Sequence, residues 1–178
     1  MILNTELEHK GNLVPARIVS YRKNVDSLFF TCANNVVLQL TVRRDSVLRF
    51  RYSTSGNFEP DFSYAISKYA SRGYNQLDVV EDAETYKVTT KKLICHISKA
   101  DLRVAIFDAA DNSVLCEDEL GFHWEESYQF GGDIVKMSKS SHDGESYYGL
   151  GDKAVGINLK EKRFENCVTD SYDYTKET

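Results

Sequence analysis

Three glycines near the end of the chain are the first residues whose spacing suggests chemistry. Gly149 and Gly151 stand one residue apart, and Gly156 follows. A dinucleotide fingerprint needs G-x-G-x-x-G between a strand and a helix, so that backbone amides can reach a pyrophosphate. Here the third glycine comes two positions late. Gly151 and Gly156 have the gap of a phosphate-binding G-x-x-x-x-G-K-[ST] loop, but Ile157 and Asn158 follow. Neither a lysine nor a hydroxyl stands where phosphate and magnesium need one. The reading left is structural: Gly149 and Gly151 permit close backbone packing or a positive φ in a strand and turn.

Other reactive side chains are scattered. Cys32, Cys95, Cys116 and Cys167 are far apart and form no C-x-x-C pair, which disfavours a zinc knuckle or a thioredoxin motif. They read as buried free thiols in strands. His9, His96, His123 and His142 show no metal-ligand spacing, so no metal and no cofactor is expected. His96 alternates onto an outer face, and His123 adjoins Trp124, which reads as a core or interface anchor. Asp108, Glu117, Asp118 and Glu119 are numerous carboxylates without a pairing that the sequence can specify, and they read as a solvated acidic turn.

Composition narrows the classes further. The 178 residues are enough for one domain with its own core. A net charge of −5 speaks against nucleic acid, which needs a basic face. The opening MILNTELEHKGNL lacks the basic start and apolar stretch of a signal peptide, and no run approaches the roughly 20 apolar residues of a membrane helix. The expectation is a cytoplasmic protein without a membrane partner.

The elements that must position any site are strands. Eleven tyrosines and nine phenylalanines favour sheets. Val36, Leu38, Leu40 and Val42 alternate with Val37, Gln39 and Thr41; Leu48, Phe50 and Tyr52 alternate with Arg49, Arg51 and Ser53. Leu93, Cys95 and Ile97 form another row, and Leu102, Val104 and Ile106 the next, with SKAD as the hairpin turn between them. Ala110-Asp111-Asn112 is a further turn before a short strand at Val114 to Cys116. Earlier strands are expected at Pro15 to Tyr21 and Leu28 to Cys32, and a later one at Ile134 to Lys139. GGD at Gly131 to Asp133 and SSHDGES at Ser140 to Ser146 read as turns. Helix signals are few, one short candidate starting after Pro60 with Asp61 near its cap. The pattern is that of an all-β, antiparallel β-sandwich.

One segment carries a resemblance. Tyr148-Gly149-Leu150-Gly151-Asp152-Lys153, then Gly156, Leu159, Arg163-Phe164 and Thr169-Asp170-Ser171-Tyr172-Asp173-Tyr174, resembles the end of the N-terminal β-sandwich of glycoside hydrolase family 31, the α-glucosidases, α-xylosidases and their relatives. The order and spacing of the family pattern, Y-G-L-G-E-K and then an N-T-D-A-Y-x-Y-like stretch, are kept. Asp152 replaces the common glutamate, Val168 a frequent asparagine, Ser171 the usual alanine, and Cys167 a common tryptophan.

The resemblance implies a galactose mutarotase-like supersandwich over residues 1–178, with 165–178 as a loop leading toward a (β/α)8 catalytic barrel. It implies an α-linked glucoside or xyloside oligosaccharide as substrate, and the barrel of the same chain as partner. Both reacting aspartates of the family lie on barrel loops, and no W-x-D-M-N-E-like nucleophile segment occurs here. The sequence as given ends before any barrel begins, which this reading takes as a cut at the domain border, leaving a fragment inactive alone. Asp170 matches the family aspartate that binds sugar hydroxyls near the scissile bond. A carboxylate suits that role because charge-assisted hydrogen bonds are stronger than neutral ones. Tyr172 and Tyr174 offer flat apolar faces to a sugar or to the barrel wall. The alternatives are a stand-alone carbohydrate-binding sandwich, with Trp124 in an open groove, and a protein-interaction sandwich without sugar contact.

Overall fold

The computed structural model describes residues 12–60, 78–127, 131–149 and 155–164, and in it the alternating rows become ten strands. These are β1 (Ile18–Lys23), β2 (Ser27–Cys32), β3 (Val37–Arg44), β4 (Val47–Ser53), β5 (Asp78–Glu81), β6 (Thr85–Thr89), β7 (Leu93–Ser98), β8 (Val104–Asp108), β9 (Val114–Ser127) and β10 (Gly132–Lys139). One sheet runs β1-β2-β3-β4 and the other β10-β9-β8-β7-β6-β5. Within each sheet every strand pairs antiparallel with its neighbour in the chain. No helix occurs among the described residues, and the segment after Pro60 lies outside them.

The two sheets face each other because each presents one apolar row. Leu28, Phe30 and Cys32 of β2 and Leu38, Leu40 and Val42 of β3 meet Val88, Cys95, Ile97 and Val104 of the six-stranded sheet in one buried cluster. Burying each such side chain contributes about 1.5–3 kcal/mol. Aromatic rings bridge the layers. Tyr86 of β6 lies 4.9 Å from Tyr21 and 5.1 Å from Phe30, between ring centroids. At the other end Tyr52 of β4 stacks on Phe122 of β9 at 4.5 Å and 8°. Such pairs add about 0.5–1.5 kcal/mol beyond their area. The buried hydroxyl of Thr41 donates to that of its cross-strand partner Ser27 at 2.9 Å, and Ser27 donates in turn to the Asp26 carboxylate at 2.9 Å.

Three features differ from the sequence pattern. Strand β9 runs for 14 residues rather than stopping at Cys116. Its first part pairs with β8 and its last part with β10, while Leu13 bridges to Trp124. Between these parts the register with β10 jumps, with Gly121 opposite Ser138 but Asp118 opposite Lys139. That bulge breaks the period of two, so EDELG does not look like strand. Strands β5 and β6 have only short apolar rows, Val79 and then Tyr86 and Val88, set among charges. Leu102 does not join β8. It sits in the hairpin turn at φ 61 and is buried at 2% exposure, its amide bonded to the Ser98 carbonyl.

The bulge also corrects the reading of Asp118 as solvated. Its side chain is fully buried, accepts the Val104 amide at 2.8 Å on Oδ2, and pairs with Lys139 Nζ at 2.5 Å on Oδ1. Gly121 makes this possible. Its φ is +71, and a Cβ there would lie 2.8 Å from Asp118 Oδ2. Gly121→Ala is expected to cost about 1–2 kcal/mol for the left-handed backbone alone. Thermal unfolding checks this as a fall in Tm of about 2–8 °C.

Two of the cysteines read as buried thiols are so placed. Burial pushes Cys32 up to about 11 and Cys95 up to about 12. Thiolate is the reactive form. Iodoacetamide at pH 8, followed by peptide mass mapping, is therefore expected to leave both unlabelled in the folded chain and to label both after unfolding.

The chain divides into two compact units, Met1–Ser140, which holds the sandwich, and Ser141–Thr178.

Candidate functional site

The residues expected to touch sugar, Asp170 and Tyr172, lie outside the described residues, as do Tyr174, Cys167 and Gly151. The described part of the motif is the stretch before them, in the second unit. Gly144 begins its geometry, in a turn at φ 83. The Glu145 carboxylate reaches back across that turn and accepts the His142 amide at 2.9 Å. It also accepts the Tyr147 hydroxyl at 2.8 Å. The Tyr147 oxygen lies 3.2 Å from the Ser141 hydroxyl. A phenol has one proton, and the shorter contact, to the carboxylate, is the one that takes it. The Tyr147 bond first, and the His142 amide next, hold the Glu145 carboxyl below the usual carboxylate range.

Asn158 ties the two arms of the motif together. Its Oδ1 accepts the amides of Tyr147 and Lys160, each at 3.0 Å, and its Nδ2 donates to Ser146 Oγ at 3.1 Å. The Leu159 amide donates to the Tyr147 carbonyl at 2.7 Å, and Lys160 Nζ to the His142 carbonyl at 3.1 Å. Leu159 is buried, whereas Tyr148, Val155 and Ile157 are exposed. Gly149 has φ +112, and a Cβ added to it would meet nothing within 4 Å, so backbone conformation, not close packing, requires glycine there. Gly156 has no such φ. Glu145 and Asn158 are organising residues that the sequence pattern did not single out. Their signal is a polar residue beside glycine or between apolar ones, able to bond backbone a few positions away.

In the sandwich unit, Trp124 is buried at 7% and stacks beside Phe122 at 5.8 Å, so it serves the core and not an open groove. His123 is buried at 5%, its Nδ1 2.9 Å from the Gly121 carbonyl. His96 does occupy the outer face of β7, its ring against Phe107 at 5.0 Å. A recess of about 270 Å³ opens between the ends of β4 and β10, with Tyr52, Phe58 and Phe122 in its wall and Arg51 and Glu59 on its rim. Arg51 is occupied there, over the Phe58 ring at 5.1 Å and donating to the Glu59 carbonyl at 2.8 Å. No group of three His, Cys, Asp or Glu side chains converges as a metal requires, among the described residues.

Two antiparallel meanders packed face to face, followed by a glycine-rich closing segment, define a β-sandwich domain of the mutarotase-like kind. Residues 37–178 match the glycosyl hydrolase 31 N-terminal galactose mutarotase-like domain, and the chain belongs to that family. No curated protein matches it by sequence. Among solved structures, it is similar to the GH31 dextranase of Flavobacterium johnsoniae complexed with isomaltotriose, with 24% identity and a TM-score of 0.72, covering 84% of this chain and 18% of that one. The cycloalternan-forming enzyme from Listeria monocytogenes, in complex with a pentasaccharide substrate, is 20% identical with a TM-score of 0.69, covering 90% of this chain and 15% of that one. The GH31 α-xylosidase of Xanthomonas citri is 22% identical with a TM-score of 0.68, covering 79% and 16%. At these identities the likeness is one of fold. The chain spans less than a fifth of the length of these enzymes.

Proposed function

We propose that this chain is the accessory N-terminal domain of a retaining α-glycosidase, α-glucosidase-like, and that it lends a loop to the substrate site of a (β/α)8 barrel in the same protein. The observation that carries the reading is the family match, which runs to residue 178 and so includes the whole closing motif. Retaining glycosidases use two carboxylates about 5–5.5 Å apart, a nucleophile and an acid/base. On this reading both stand on the barrel, and the sandwich contributes position rather than proton transfer. Asp170 accepts hydrogen bonds from sugar hydroxyls, and Tyr172 lays a flat face beside the ring. Holding the sugar in a reactive pose lowers the barrier by prepaying orientational entropy.

An α-linked glucoside is the first substrate class, with an α-xyloside next. The dextranase solved with isomaltotriose and the α-xylosidase among its structural neighbours support that order. The exposed Tyr148, Val155 and Ile157 of the closing segment support a role against another surface. The burial of Trp124 removes the side chain that a stand-alone sugar-binding groove would have used.

The test is hydrolysis of p-nitrophenyl α-glucoside and α-xyloside by the full-length protein and by the 178-residue chain alone. Turnover by the first and none by the second is expected. Turnover by the chain alone, or none by the full-length protein with either substrate, would overturn the reading.

A further inference from the structure

Strand register sets Lys87, His96, Ala105 and Glu117 in one row across the outer face of β6, β7, β8 and β9. Thr85 and Ser98 form the neighbouring pair. Ala105 is the small member of the row, and a recess of about 250 Å³ opens around it. Adjacent strands lie about 4.8 Å apart, which places the backbones carrying His96 and Glu117 roughly 10 Å from each other. An imidazole and a carboxylate therefore flank a gap the width of one small ring, with a methyl group as its floor. Arg103 closes one end, its guanidinium held by Asp101 at 2.7 Å and by the Glu119 carbonyl at 3.3 Å.

The polar groups define the ligand. Burial first, and the nearby Lys87 ammonium second, hold His96 below its ordinary range, against the pull of Asp82. The imidazole is therefore neutral at pH 7, with one nitrogen donating and the other accepting. The Thr85 proton is committed to Asp82 at 2.9 Å, so that hydroxyl offers lone pairs. Glu117 accepts only, and Arg103 donates only. Charges of both signs are present, and the Arg103 charge is already met by Asp101. With Arg103 met by Asp101, the lining keeps the carboxylates of Glu117 and Asp118, the latter met by Lys139, so its interleaved donors and acceptors suit hydroxyl groups, which do both, and disfavour a phosphate or carboxylate. The volume falls just below the usual range of ligand sites, roughly 300 to 1,000 Å³, which limits an occupant to about one ring.

We propose that this outer-face recess binds a single neutral sugar ring, with Glu117 and His96 bonding its hydroxyls from opposite sides of Ala105. The recess uses only residues of the sandwich unit, and its assignment stands or falls independently of the barrel reading.

The test is a titration of the isotope-labelled 178-residue chain with D-glucose, followed by amide NMR shifts. Saturable shifts at His96, Ala105 and Glu117 are expected, with a Kd on the order of 1 mM. Ala105→Leu fills the gap and should weaken binding at least tenfold. Glu117→Gln keeps the shape, lies on an outer face, removes the charged acceptor, and should weaken it about tenfold; it carries the test if the leucine variant does not fold. Absence of saturable shifts in this row overturns the proposal, as does binding that both variants leave unchanged. Tighter binding of inorganic phosphate than of glucose at the same amides overturns the neutral-sugar assignment.

Discussion

Asp118→Ala destabilises the sandwich by about 2–4 kcal/mol, the largest loss expected from a single polar side chain in the described residues. The carboxylate is fully buried, and two groups depend on it: the Val104 amide at 2.8 Å and Lys139 Nζ at 2.5 Å. Removing it leaves a backbone donor without an acceptor in the core, a penalty of about 1–3 kcal/mol. Lys139 loses its anion as well, but its side chain is 39% exposed and can turn to water. That escape places the expected loss somewhat below the roughly 3–5 kcal/mol of a pair buried on both sides. Urea unfolding followed by the fluorescence of Trp124, the sole tryptophan, reads the change directly. Replacing both partners, Asp118→Leu with Lys139→Met, still leaves the Val104 amide without an acceptor, so it is expected to recover only the part of the loss that belongs to Lys139. A loss under about 1 kcal/mol for Asp118→Ala would mean that water reaches the carboxylate.

The second large effect concerns catalysis. On the proposed function, Asp170→Ala in the full-length enzyme removes charge-assisted bonds to sugar hydroxyls, each class worth about 1.5–3 kcal/mol. At about 1.36 kcal/mol for each factor of ten, kcat/KM falls roughly 10- to 150-fold. The loss belongs in kcat/KM for every α-glucoside that fills the same subsite. Asp170→Asn retains one acceptor oxygen and should recover part of it. An unchanged kcat/KM for Asp170→Ala would remove the residue from the site and leave the sandwich with a purely supporting role.

Much of the fold was legible because side-chain alternation is a direct consequence of a pleated sheet with one dry face. Leu38, Leu40 and Val42 read as buried and are so, and Cys95 and Ile97 likewise. The SKAD hairpin was legible too, because polar turn residues separate two apolar rows, and Ile97 does pair with Val104. What failed to show was everything that depends on a third dimension. The acidic run before Gly121 looks like a wet turn, since nothing in sequence reveals that a bulge rotates Asp118 toward Lys139. Tyr86 and Val88 flank Lys87 between two threonines, and Tyr86 becomes core because Tyr21 and Phe30 come from the opposite sheet to meet it. The row from His96 to Glu117 requires two successive hairpin registers before it exists at all. The assignment of Asp170 and Tyr172 came from an ordered motif and not from any physical pattern, because a sugar ligand leaves no periodicity in a loop.

The meander order of the two sheets also bears on how the molecule reaches its native state. When every strand pairs with its successor, each sheet can grow by closing one short loop at a time, and the entropy of each closure is small. The costly step is bringing the finished ribbons together, as the Tyr52 and Phe122 rings do from opposite sheets. Either sheet formed without the other would expose its apolar row, Leu28 and Phe30 on one and Val88 and Ile97 on the other. Such rows, rather than the native surface, are where an incompletely assembled sandwich would be open to aggregation.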